Sequence, residues 1–226
     1  MRPSGEVAAR LIPRHGFYRG PAGRRLGWAM LPTDTPLTYK LRSLYLELAL
    51  HVRLAVVGFW RGLAKAEGVI GASRLHISVL RGDGRIEHLG LVSTRVITDA
   101  GVTFLRDDFN NNAQDITTMN FHGAGTGTTA EATTDTALVT ECTTALNPDS
   151  TRATGTRSVP AGNQFRTVGT LTFDVDAAVT EHGIFSQSAT GGGTLWDRSK
   201  FSAINVVGAN GDSIQFTYTL TLSSGG

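Results

Sequence analysis

The chain has 226 residues, enough to bury a substantial core. Charged residues make up 18%, below the usual share of about 25%, and Thr, Gly, Ser and Ala fill the gap. The single Cys142 excludes an internal disulfide and a cysteine-rich metal site.

The net charge of +2 conceals a split. Residues 1–80 carry 12 Lys and Arg against 4 Asp and Glu, and the remainder carries 9 against 15. A basic region beside an acidic remainder suits an arm that docks on an acidic surface. The first 30 residues lack the apolar run of a secretory signal. Leu41 to Leu63 is the most apolar stretch, but Arg42, Glu47, His51, Arg53 and Arg61 interrupt it, so no membrane span is expected.

Residues 1–40 hold five Gly and five Pro, a density of breakers that forbids long regular elements. Arg14, Arg19, Arg24 and Arg25 are interleaved with Phe17, Tyr18 and Trp28. These seven are the candidate partner-binding residues. Such a mixture can stack on nucleic acid, but no recognised nucleic-acid motif accompanies it, so an extended basic arm laid on a protein neighbour is preferred. Residues 41–70 link this arm to a domain over 71–226. Within the link, Leu44, Leu46, Leu48, Leu50, Val52, Leu54 and Val56 take every second position, which favours a strand over 43–57. The good helix formers Leu, Ala, Glu and Arg in the same run keep a helix open. Phe59 to Gly68 reads as a short helix ended by Gly68.

From Arg74 the pattern is β. Leu75, Ile77 and Val79 alternate with polar neighbours, Gly82-Asp83-Gly84 turns, and Ile86 to Val92 returns. Arg95 to Thr98 extends the sheet, and Val102 to Phe109 reads as a short helix. Strands are expected at Met119 to His122, Leu138 to Cys142, Arg152 to Val159, Asn163 to Val175 and Val179 to Ser186. A bulge near Gly169 accounts for an apparent slip of phase in the fourth of these. The clearest strand is the last: Ile214, Phe216, Tyr218, Leu220 and Leu222 alternate with Gln215, Thr217, Thr219 and Thr221. Asn210-Gly211-Asp212 before it reads as a hairpin turn, with Phe201 to Val207 as partner. The strands over 74–98 and 163–186 would then form the facing sheet. The expected fold is a mainly β, antiparallel β-sandwich, jelly-roll-like, with an extended basic N-terminal arm.

Candidate chemistry is sparse. Gly123-Ala124-Gly125-Thr126-Gly127 lacks the Lys of a phosphate loop and reads as a flexible surface loop. His122, His182 and Glu181 would hold a metal only if their strands were adjacent, and no spaced motif requires it, so histidines bonded to backbone carbonyls are expected. Asp174 and Asp176 are paired carboxylates that suit glycoside hydrolysis, or calcium with Asp197 or Asp212, but two acids on an exposed face are ordinarily just solvated. Cys142 has no neighbouring His to activate it. No catalytic residue, metal or cofactor is expected.

Several pieces resemble a family of tailed-bacteriophage virion proteins: GLVSTRVITDAGVTFL (90–105), FHGAGTGTTAEATTDTALVTE (121–141), TRATGT (151–156), FRTVGTLTF (165–173), VTEHGIFS (179–186) and LWDRSKFSAINVVGANGDSIQFTYTLTLSSGG (195–226). The resemblance covers about residues 89–226 and leaves out residues 1–70. It implies a non-enzymatic virion protein. The expectation is a decoration or cement protein on the capsid exterior, binding the major capsid protein or other virion proteins, and homo-oligomeric, with a trimer the state that suits local threefold lattice positions. The alternative is a tail, neck or baseplate component, for example a host-glycan adhesin with Trp196 in its groove.

Overall fold

The computed structural model describes residues 17–20, 23–26, 43–49, 52, 69–94, 96–110 and 114–224. Two antiparallel sheets enclose the main core, as a β-sandwich does. The first sheet runs β4 (Ile86–Ser93), β3 (Val69–Leu80), β13 (Ser213–Ser224), β10 (Gln164–Phe173) and β7 (Leu146–Asn147), with β9 (Thr156–Ser158) also on β10. The second runs β5 (Val96–Ile97), β12 (Leu195–Val206), β11 (Ala177–Phe185), β6 (Phe121–Gly125) and β8 (Ala153–Thr154).

The alternation read at the C-terminal end is that of a central strand. Ile214, Phe216, Tyr218 and Leu220 of β13 are buried, whereas Leu222 is 45% exposed. Its partners differ from those expected. Strand β13 pairs with β3, from Ser213↔Leu80 to Ser224↔Val69, and with β10. Strand β12 lies in the opposite sheet, so the two do not form a hairpin and β3, β4 and β10 do not face β13. The connection between them is an arch. Residues Gly208–Asn210 make a 3-10 turn, and Gly211 follows at φ 70°. The Asp212 carboxylate holds the arch to the β3–β4 turn, accepting from the backbone N–H of Val207 (3.1 Å) and Gly82 (2.9 Å) and from Arg81 (2.8 Å). A second arch, residues 174–176, joins β10 to β11 and packs against the first, where Asp176 accepts the Gly208 N–H at 2.9 Å. Satisfying these backbone groups locally is what lets the chain cross between sheets.

Other expectations hold in part. The β3–β4 hairpin turns at Gly82-Asp83-Gly84. The helix α2 (Asp99–Asn110) starts one turn before Val102, because Thr98 caps it by accepting the Gly101 N–H at 2.9 Å. Residues 43–49 are helical (α1), not a strand. Their helix formers decide the matter once one side can rest on the first sheet. Residues 138–142 are irregular apart from a bridge from Glu141 to Gly125, and a short strand forms instead at Leu146–Asn147. Within the expected arm, β1 (Phe17–Gly20) pairs with β2 (Gly23–Leu26), and the rest of residues 1–40 lies outside the described residues. The helix expected over 59–68 lies outside the described residues.

There is no bulge at Gly169. Strands β10 and β13 stay in register from Gln164↔Thr221 to Thr172↔Ser213. The inward positions of β10 are Phe165, Thr167, Gly169, Leu171 and Phe173, and the polar Thr and the Gly sit there because His122 from β6 lies over them. A Cβ at Gly169 would come within 2.5 Å of the His122 ring. Gly169→Ala is therefore expected to destabilise the fold by about 1–3 kcal/mol through overpacking, measured as a lower urea midpoint with the slope unchanged.

Candidate functional site

The polar residues singled out in the sequence fall on two sides of the second sheet. His122 and His182 do lie on adjacent strands and both point into the core. Their Nδ1 and Nε2 atoms are 3.0 Å apart, and His122 Nε2 is 3.1 Å from Thr167 Oγ1. Both rings therefore bond side chains, not the backbone carbonyls expected of them. Burial pushes the His122 pKa down to about 3. Burial, then His122, depresses that of His182 well below the ordinary imidazole value. Glu181 precedes His182 on one strand, and the pleat turns it to the opposite face. The three side chains do not converge, and among the described residues no group of His, Cys, Asp or Glu is arranged to hold a metal ion.

Glu181 instead organises an outer layer. Its buried carboxylate accepts the backbone N–H groups of Gly127 (3.0 Å), Thr140 (2.9 Å) and Val139 (3.2 Å). The fully buried Arg198, across on β12, donates to it at 2.9 Å and reaches on to Asp135 and the carbonyls of Thr129 and Ala130. The glycine-rich run is thus a buried strand and its continuation, not a flexible loop. A side chain at Gly125 or Gly127 would meet the Glu181 carboxylate at 2.6 or 2.4 Å. Arg152 makes a second pin. It forks onto Glu141 at 2.6 and 3.0 Å, donates to the carbonyls of Gln187 and Gly192, and lies over the Phe185 ring.

The remaining candidates are structural in their settings. Trp196 is 6% exposed and donates to the Tyr218 hydroxyl at 3.0 Å, so it lines no surface groove. Asp197 is buried among Ser199 and Tyr218, and desolvation raises its pKa to about 7. Asp212 is committed to Arg81 and the arch, and Asp176 to Gly208. The Cys142 thiol is buried, and burial raises its pKa to about 11. Of the expected partner-binding residues, Phe17, Tyr18, Arg19, Arg24 and Arg25 fall in β1 and β2, with Tyr18 opposite Arg25 and Arg19 opposite Arg24. Arg14 and Trp28 lie outside the described residues.

The surface feature that sequence reasoning missed is the exposed apolar side of α1, a helix it had kept open. Leu44 and Leu48 are 74% and 65% exposed, and their spacing of four places them along one side of the helix; Val52, also helical, is 54% exposed. The alternating Leu pattern hid this row, because a strand would have put all seven apolar residues on one face. The helix is held in place from its other side. Ser43 Oγ accepts the Leu91 N–H at 2.7 Å, against Gly90 at φ 72°. Glu47 approaches Arg74 at 3.5 Å and His76 at 3.8 Å. Burying each of the three apolar side chains against a partner would favour association by about 1.5–3 kcal/mol before the costs of binding.

Comparison with protein-family models, with curated proteins and with solved structures gave no match.

The outer layer depends on a cation beside Glu181. Arg198→Met is expected to cost about 3–5 kcal/mol, because it leaves a buried carboxylate without its counter-charge. Arg198→Lys, which keeps the charge but loses the fork, should cost less. Equilibrium denaturation of the two variants checks the order.

Proposed function

We propose that this chain is a non-enzymatic structural protein of a tailed-phage virion, carried on the capsid exterior as a decoration or cement protein that binds the major capsid protein lattice. The observation that carries the reading is the exposed apolar row of α1, which follows a basic N-terminal segment in the sequence and is anchored to a sandwich whose buried charges are committed to holding its own layers together. A rigid body with a greasy helix and a cationic leader suits a repeated lattice contact. The resemblance of residues 89–226 to virion proteins supports the same class. The jelly-roll description belongs to this reading too. In its favour, β3 and β13 are neighbours in one sheet, and β12 lies between β5 and β11 in the other. The direct β11–β12 hairpin is a departure from double Greek-key wiring.

Self-association, as a trimer, is part of the proposal, and so is the placing of Arg14, Phe17, Tyr18, Arg19, Arg24, Arg25 and Trp28 against the neighbour. The alternative station is the tail, neck or baseplate. Burial of Trp196 removes the aromatic that would have favoured a glycan-binding version of it.

The test is binding to particles stripped of this protein, followed by co-sedimentation. Deleting residues 1–40 should abolish decoration while the sandwich keeps its urea midpoint. Leu44→Glu with Leu48→Glu should weaken it at least about tenfold, given the area the row presents. Full occupancy by the truncated protein would show that the arm does not bind. Copy number separates the stations: hundreds per particle for the capsid, and about 3 to 12 for the tail axis.

A further inference from the structure

His122 and His182 together leave only one place for an added proton. Thr167 Oγ1 and the two rings form a chain across the sandwich, from β10 in the first sheet to β6 and β11 in the second. His182 Nδ1 is buried and has no hydrogen-bond partner. A buried N–H without an acceptor is costly, whereas a bare ring nitrogen is less so. That fixes the tautomers: His182 Nε2–H donates to His122 Nδ1, and His122 Nε2–H donates to Thr167. Both rings are then neutral, and every ring N–H has an acceptor. The vacant lone pair is His182 Nδ1, and a proton placed there would point at nothing that can accept it.

The surroundings offer little to stabilise such a cation. The Phe216 ring of β13 lies 4.5 Å from the His182 ring, and one aromatic face does not replace the water that a buried imidazolium gives up. From β12 the interior receives Asp197, whose oxygens face Ser199 and Tyr218. Strand β13 adds the Tyr218 hydroxyl, which accepts from Trp196. The buried inward positions of β3 and β10 carry no ionisable side chain. Cys142 is a buried thiol, and Glu181 faces the outer layer.

We propose that His182 is an acid latch of the sandwich: protonation at Nδ1 cannot be accommodated between the sheets, so acidification drives them apart. The sign follows from proton binding. Below pH 6.5 the unfolded chain protonates both imidazoles while the folded chain protonates neither, so the histidines' share of stability is full above 6.5 and falls as the pH drops. Asp197 acts in the opposite sense. Its raised pKa means that the folded chain holds one proton between about pH 7 and 3.8 that the unfolded chain lacks. The three groups together leave the unfolded chain one proton ahead between pH 6.5 and 5.0, about tenfold in the unfolding constant per pH unit.

The test is urea unfolding of the full chain at pH 6.5, 5.75 and 5.0, followed by circular dichroism. All proteins compared carry His76→Asn, because His76 is a half-buried imidazole on the outer face, near Glu47, Arg74 and Arg166, and its pKa is also lowered. The unfolding constant of the parent should rise about tenfold per pH unit more steeply than that of His182→Gln. Asp197→Asn should be about tenfold per unit steeper than the parent. Should His182→Gln fail to fold, the parent and Asp197→Asn still decide. Imidazole nitrogen spectra of the folded parent at pH 5.5 should show His182 unprotonated at Nδ1. Equal slopes for parent and His182→Gln, a slope of about tenfold per unit or less in Asp197→Asn where two neutral histidines require about a hundredfold, or a protonated His182 in the folded protein would each overturn the latch.

Discussion

A carboxylate removed from water must have its charge answered, and the buried Glu181 sets this constraint for the second sheet. Three backbone N–H groups and a doubly donating Arg198 answer it, all of them drawn from residues 127–140 or from the neighbouring strand. The irregular layer over that sheet therefore needs little secondary structure of its own. It is positioned by two arginines and by glycines small enough to let it lie against the strands. Leu138, Phe185 and Leu195 add a small apolar cluster between them. Pins of this kind give less net stability than an apolar contact of equal volume, but they tolerate only one arrangement.

The arches obey the same logic on a smaller scale. Asp212 answers two backbone donors and one arginine, and it is through this residue that the β12–β13 connection meets the β3–β4 turn. The two sheets are thus joined at their ends by carboxylates that bond main chain, and across their middle by a line of side-chain hydrogen bonds through His122, together with the Trp196–Tyr218 bond.

Strand existence was largely legible and strand pairing was not. The period-two pattern of residues 214–220 identifies a half-buried strand without ambiguity, because the pleat allows no other reading. Nothing in it distinguishes a partner nearby in sequence from β3, some 140 residues away by the register, and a hairpin is the default where a Gly-containing turn intervenes. The Thr167 and Gly169 positions were visible as a break in the apolar pattern, but their cause is a ring on another strand of the other sheet. Glu181 and His182 were noticed as neighbours. Their neighbourhood in sequence is what separates them in space. The α1 row shows the limit from the other side. Alternating leucines suit either element, and the helix formers among them prevail only with one side resting on the first sheet, a contact the sequence does not record.

Strand β13 sits between β3 and β10, so sheet one has no middle until the last strand is present. During synthesis β3, β4 and β10 leave the ribosome well before it, and the inner flanks of β3 and β10 are then open strand edges. Such edges are templates for pairing with another chain. Contacts this distant in sequence also slow folding, because a long loop must close before they form. The same register sets Val69 opposite Ser224, so the start of β3 and the end of β13 lie at one corner of the sandwich.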